Sequence, residues 1–377
     1  MAKTSELKPR LLSLDVFRGI TVAAMILVNN PGDWGHIYAP LEHAEWNGCT
    51  PTDLIFPFFL FIVGVAIVYA LGTKKASKEN HAQIIKSILK RSAILFGLGL
   101  LLSLFPFFDF STVRILGVLQ RIAIVYFFSA LIFIKLPPKA IGALLVVILL
   151  SYWAMMTLIP VPDVGFANLE KETNLGAWLD RLILTENHTW KLSKTWDPEG
   201  ILSTLPAIGS GLFGVLIGGV LKGNQLNDHK KTIRILGIGS FAVIIGLCWN
   251  IVFPLNKSLW TSSYVLYAGG LAAIGLALCY WIIDVKGFKK YTTPFVIYGV
   301  NAITVFFASG IIARSMNLIK VHLNGKEISL KGWFYESFYT PYFSSPYNAS
   351  VAGAITFVFI WWVILWLMYR KNIIIKV

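Results

Sequence analysis

Hydrophobic and polar positions fall into long blocks along this chain, not into the short alternations of a soluble fold. Apolar runs of roughly 20 residues, the length an α-helix needs to cross a bilayer, occur at 12–29, 53–71, 88–105, 113–134, 138–159, 201–221, 232–253, 262–284, 293–315 and 350–370. Most of the polar breaks between them are short; the connections 160–200 and 316–349 are long. The pattern predicts an all-α polytopic membrane protein, a bundle of about ten transmembrane helices forming one domain over 1–377. Composition agrees, with 56% hydrophobic and only 14% charged residues, whereas soluble domains are about a quarter charged. The opening MAKTSELKPR is basic, but the run behind it holds Asp15 and Arg18 and lacks a small-residue cleavage site. It reads as a retained first span.

Charge then orients the bundle. The net charge of +14 would suit a nucleic-acid partner if it formed one patch. Instead 21 of the 33 Lys and Arg lie in the N-terminus, 72–91, 135–139, 222–234, 285–292 and the C-terminus, which are alternate connections. Cytoplasmic loops carry the excess of Lys and Arg, so both termini are expected in the cytoplasm, and 30–52, 160–200 and 316–349 on the outer face. The charge is thus a topology signal, and nucleic acid is not expected as a partner. Three scattered cysteines, Cys49, Cys248 and Cys279, suit neither a disulfide framework nor a zinc site; no metal is expected.

Candidate chemistry concentrates in the outward segment Asn29–Asp53, NNPGDWGHIYAPLEHAEWNGCTPTD. Polar and titratable groups at the mouth of a membrane domain are costly unless water, a partner or a substrate meets them. His43 stands among Glu42, Glu45, Trp46 and Asn47, with Asp53 opening the next span; a carboxylate beside an imidazole fixes its tautomer and suits it to act as a general base. His36 competes for the same role. Asn29, at the end of the first span, reads either as a helix stop in Asn-Asn-Pro-Gly or as a donor to a developing oxyanion.

Within or beside the spans lie Asp15, Arg18, Arg114, Gln120 and Arg121. Intramembrane charges face the bundle interior, where Arg121 either pairs with Asp53 or Asp15 or lines a polar tunnel. Gly209–Gly214 matches G-x-G-x-x-G, but inside an apolar span such small residues serve close helix packing and not dinucleotide binding. The 160–200 connection carries Trp178, Trp190 and Trp196 with Asp197 and Glu199 in WDPEG. Aromatic faces beside carboxylates suit a carbohydrate, although tryptophan also favours bilayer interfaces.

Six ordered segments together resemble one family: LLSLDVFRGI; HAEWNG with TDLIFPFFLFIVG; RILGVLQRIAIVYF; WDPEGILSTLPAIGSGLFGVLIG; KSLWTSSYVLYAGG; and PFVIYGVNAITVF. The chain is similar to the heparan-α-glucosaminide N-acetyltransferase family in a short bacterial form, from about Leu11 to Arg370. The resemblance implies transfer of an acetyl group from cytosolic acetyl-CoA across the membrane to the amine of a terminal glucosamine. It matches the family's active-site histidine to His43 and its active-site asparagine to Asn29. Trp46, Asn47, Asp53, Asp197, Glu199 and Asn301 are then expected to meet the sugar, and Arg18, Gln120 and Arg121 to hold acetyl-CoA. It further implies a multi-pass protein of a bacterial inner membrane, bathed in lipid, and a homodimer like the animal members. Some bacterial relatives carry the label of amino-sugar transporters, which makes a permease the rival class.

Overall fold

The computed structural model describes residues 11–76, 81–323 and 325–375; the basic N-terminal segment, Lys78 and Lys376 of the charge argument lie outside them. Among the described residues nine helices are long and apolar enough to cross a membrane, or ten if one bent pair counts as a span. The expected all-α polytopic bundle is borne out. The membrane helices are α1 Leu12–Asn29, α2 Ile55–Ala76, α3 His81–Leu104, α4 Val118–Lys135 and α5 Pro138–Leu158. After a short α6, Leu175–Leu184, follow α7 Thr204–Lys222, α8 Asp228–Trp249 and α9 Ser262–Tyr280. The last ones are α10 Thr293–Val300, α11 Ala302–Leu318, a short α12 Leu330–Phe338, and α13 Pro346–Arg370.

Three boundaries differ from the hydropathy pattern, each for a local reason. The fourth span begins at Val118, not at 113, because Ile115 donates its N–H to the His188 carbonyl (3.1 Å) and the Val113 carbonyl meets His188 Nδ1 (2.8 Å). Those bonds hold 113–117 extended and put Arg114 outside the helix. The run 293–315 is not one straight helix: α10 and α11 meet at 77° around Asn301. The connection 316–349 is not bare loop either. It holds an antiparallel hairpin, β1 Lys320–Leu323 with β2 Lys326–Ser329, and α12.

Small residues set how closely the central helices approach. Where α2 crosses α7, a Cβ at Gly64 would strike the Gly211 backbone and one at Gly214 would strike the Phe61 backbone. Only glycine allows that separation, and the G-x-G-x-x-G run is therefore helix-packing chemistry, as expected of small residues in a membrane interior. These two helices and α9 carry the apolar core, with Leu60, Phe61, Val65, Leu212, Tyr264 and Ala268 essentially inaccessible. The 30–52 segment, the 113–117 strand, the 160–200 connection and the α8–α9 turn all meet at one end of this bundle.

Candidate active site

Asp53 closes a 3₁₀ turn, Pro51–Leu54, that leads into α2 and begins with a capping box in which Thr50 and Asp53 bond each other's backbone. The Asp53 side chain is 1% exposed, so each of its lone pairs requires a donor. One oxygen, Oδ2, accepts N–H bonds from Ala44 and Thr50 (both 3.0 Å); the other, Oδ1, lies 2.7 Å from His43 Nδ1. A carboxylate facing Nδ1 fixes the proton there. The lone pair of His43 is consequently on Nε2, and the ring is half exposed toward a cavity of about 440 Å³.

Three connections wall that cavity. Trp46 is fixed by its Nε1–H to the Leu169 carbonyl (2.9 Å) and meets Trp196 edge to face at 5.1 Å; Trp190 continues the array at 5.5 Å from Trp196. Such a wall offers faces to the C–H surface of a sugar ring and edges to its hydroxyls. Glu199 forms the floor. Arg114 holds Asp197 through Nε (2.8 Å) and Nη2 (2.5 Å), and reaches Glu199 through Nη2 at 2.5 Å. Burial alone would push the Glu199 carboxyl up, but Arg114, Arg121 and Lys257 outweigh it and hold it below the ordinary range. Asp180, beneath them, accepts N–H bonds from Asp197 (3.2 Å) and Ile201 (2.9 Å), and burial raises it to about 6.

The helix-stop and donor readings of Asn29 separate cleanly. Asn30 does the capping, its Nδ2 donating to the Ile26 carbonyl at 2.9 Å. Asn29 instead borders the His43 cavity, and its side chain makes no hydrogen bond among the described residues. His36 is spoken for elsewhere: its Nδ1 lies 2.6 Å from Asp33, and its ring packs on Tyr347, away from the cavity. Burial, with the Asp53 charge adding to it, pushes the Cys49 thiol up to about 12, away from the thiolate form that a cysteine nucleophile needs. Asn47 lies behind the wall, accepting from Asn256 Nδ2 at 3.2 Å.

Not every expected residue comes to this place. Arg121 is 1% exposed and donates to the carbonyls of Pro198 (3.0 Å) and Gly200 (3.1 Å) and to Ser203 Oγ. Its bonds tie the WDPEG turn to α4; they are made with neither Asp53 nor Asp15. Gln120 is equally buried and packs on Gly99 of α3. Neither residue borders the two large cavities. Asn301 sits at the α10–α11 bend, where it bonds Ile373 (3.1 Å) and Ile375 (3.0 Å) of the C-terminal tail, remote from the aromatic wall.

Arg18 borders a second cavity, of about 480 Å³, together with Arg91. Arg91 packs 4.8 Å from the Tyr126 ring centroid, and its buried Nε has no hydrogen-bond partner among the described residues. Sequence reading had counted it only as a topology charge, although its place inside a predicted span was a usable signal. The two cavities lie head to tail along the same helices. Phe56, Val118 and Phe306 border the His43 cavity; Phe59, Ile122 and Ile303 border the other, one turn further along α2, α4 and α11. A turn advances only about 5.4 Å, so a thin apolar layer separates them.

An all-α membrane bundle, with an Asp-paired imidazole bordering one of two large cavities, defines a polytopic membrane protein with a candidate site at one end of its helices. Residues 10–180 match the family described as heparan-alpha-glucosaminide N-acetyltransferase, catalytic. The human heparan-alpha-glucosaminide N-acetyltransferase is 31% identical over 357 residues, covering 81% of this chain and 53% of that protein; the mouse protein is 29% identical over 353 residues, covering 79% and 53%. The chain belongs to this family. It spans about half the length of the curated relatives it matches.

Proposed function

We propose that the protein is a transmembrane N-acetyltransferase, moving an acetyl group from cytosolic acetyl-CoA to the amine of a glucosamine-type sugar on the outer side of a bacterial inner membrane. The observation that carries this reading is the stacking of two cavities on shared helices, with His43 at one end and Arg18 and Arg91 at the other. Guanidinium groups suit the anionic nucleotide end of acetyl-CoA. The apolar layer between the cavities is only about one helical turn thick, and a pantetheine arm is thin enough to cross it through a small opening and present the thioester from the inside to an acceptor bound outside.

His43 Nε2 takes a proton from the glucosamine amine as its nitrogen attacks the thioester carbon. Asp53 holds the ring in that tautomer and steadies the imidazolium that forms. Asn29 orients the amine, and the Trp46–Trp190–Trp196 wall holds the sugar ring. Collapse breaks the C–S bond, and the departing thiolate recovers the proton from Nε2. The acceptor is an amino sugar, free or at the end of a longer glycan such as heparan sulfate, and the protein works as a homodimer in lipid.

Purified protein in proteoliposomes, given labelled acetyl-CoA and glucosamine on defined sides, tests this. N-acetylglucosamine should form only with acetyl-CoA at the cytoplasmic face, and His43→Ala should abolish it. Sugar flux without acetyl-CoA and without product would make the protein a permease instead.

A further inference from the structure

Among the described residues, Lys257 is the charged group in contact with His43 that the reaction above leaves without a task. It lies in the turn between α8 and α9, borders the same cavity and is 19% exposed. Its Nζ stands 3.2 Å from both His43 Nδ1 and His43 Nε2. Equal distances to two nitrogens of one ring put the ammonium over the imidazole face, since an in-plane approach between them would collide with the carbon that joins them. The lone pair of Nε2 lies in the ring plane and stays open. Asp53 Oδ1 is 4.0 Å away, too far for a hydrogen bond. Among the described residues no carboxylate or carbonyl accepts from Nζ. A mostly buried cation with no oxygen acceptor at hydrogen-bond distance thus keeps N–H donors for whatever fills the cavity.

The position is built, not incidental. Asn256 Oδ1 accepts from Leu259 N (2.8 Å), Thr261 Oγ1 accepts from Asn256 N (3.1 Å) and donates to the Pro254 carbonyl (2.8 Å), and Lys257 O accepts from Trp260 N (3.1 Å). Gly48 N then bonds the Leu255 carbonyl at 2.7 Å, and Asn256 bonds Asn47, joining this turn to the segment that carries His43. Trp260 adopts φ 52, the left-handed region that non-glycine residues seldom take without support. With its backbone fixed and its Nζ packed against the His43 ring, this donor needs little reorganisation when charge develops beside it.

We propose that Lys257 is a catalytic residue, the donor that stabilises the oxyanion formed when the amine attacks the thioester. This rests on the acetyltransferase reading. As the C–N bond forms, the carbonyl π pair moves onto oxygen and is held by a Lys257 N–H. The oxygen then returns the pair, the C–S bond breaks, the thiolate takes the proton from His43 Nε2, and Lys257 is left unchanged. The titratable and charged groups facing Nζ are His43 and Cys49 from the 30–52 segment, Asp53 from the turn before α2, Glu199 from the WDPEG turn and Arg121 from α4. Burial pulls Lys257 below the ordinary lysine value, against the opposing pull of Glu199 and Asp53. A donor that loses its proton at a lowered pH gives activity an alkaline limb.

The test is steady-state kinetics of purified wild type, Lys257→Met and Lys257→Arg with acetyl-CoA and glucosamine across pH 6–10 or thereabouts. Lys257→Met should lower kcat by about 10²–10³-fold while KM for glucosamine stays within about threefold. Lys257→Arg should recover part of the rate and move the alkaline limb to higher pH, because a guanidinium keeps its proton. A merely structural lysine moves neither that split nor that limb, and the arginine variant keeps the question open to measurement if the methionine variant does not fold. A Lys257→Met kcat within about threefold of wild type, or an unmoved limb in Lys257→Arg, overturns this assignment alone. Wild type that makes no N-acetylglucosamine overturns the acetyltransferase reading and this assignment with it.

Discussion

His43 Nδ1 and Asp53 Oδ1 lie 2.7 Å apart, joining a half-exposed imidazole to a carboxylate with 1% of its surface exposed. Burial makes Asp53 an orienting group and not a solvent-facing base, since its remaining lone pairs are taken by Ala44 and Thr50. Asp53→Asn keeps the shape but lets Nδ1 become an acceptor, so the proton moves to Nε2 and the base is lost. The acetyl-transfer rate should fall by about 10²–10⁴-fold, the usual weight of a general base. Product formation by the purified variant measures it, and an unchanged rate would remove the pair from the mechanism.

Arg18 and Arg91 border the cavity on the side away from His43. If they meet the nucleotide end of acetyl-CoA, Arg91→Ala should raise KM for acetyl-CoA about tenfold or more. KM for glucosamine should stay put, because the loss is of binding shared by ground and transition states. Equal changes in both KM values would point to a general disturbance of the bundle.

Arg114 is 21% exposed, and the carboxylates it joins, Asp197 and Glu199, are 0% and 6% exposed. Removing Arg114 takes away the one group that hydrogen-bonds both carboxylates, leaving only the more distant charges of Arg121 and Lys257 near Glu199. Arg114→Met should therefore cost about 3–5 kcal/mol, the usual penalty for breaking a buried pair. Denaturant unfolding in detergent, followed through tryptophan fluorescence, reads this directly; a cost below about 1 kcal/mol would class the cluster with surface ion pairs.

Asp180 supplies a pH signature. Its carboxyl is raised by burial from 3.8 to about 6, so between those values the folded protein holds a proton that the unfolded chain has released. Its contribution to stability is thus present at low pH and is lost as pH rises through that window. Measured against Asp180→Asn, wild type should lose ground in Tm between about pH 4 and pH 6. A difference independent of pH would mean that Asp180 titrates alike in both states.

Gly214→Leu probes the packing. The added Cβ would meet the Phe61 backbone, which cannot rotate away as a side chain could. Helices α2 and α7 must separate, opening cavities among the buried residues they share. The variant should elute from size-exclusion chromatography as aggregate, while substitution at Gly237, which has open space around it, should leave the profile unchanged.

The sequence by itself determined the class of the fold and singled out the segment Asn29–Asp53, which the structure places beside a cavity. Span length and hydropathy are local properties, so the membrane helices and the polar segment between the first two could be read without contacts. Its six motifs also carried the resemblance that the human and mouse relatives confirm. Tertiary structure alone decided which polar side chains meet. Asn29 and Asn30 are adjacent and chemically identical, yet one caps a helix and the other borders the cavity. Lys257 stands 214 residues from His43 and within hydrogen-bonding distance of it. Arg121 and Asn301 had the composition of site residues, but the chain uses them to brace a turn and a bend. Hydrophobic burial is a property of each segment, whereas a site depends on where separate segments place individual atoms, and that only their packing fixes.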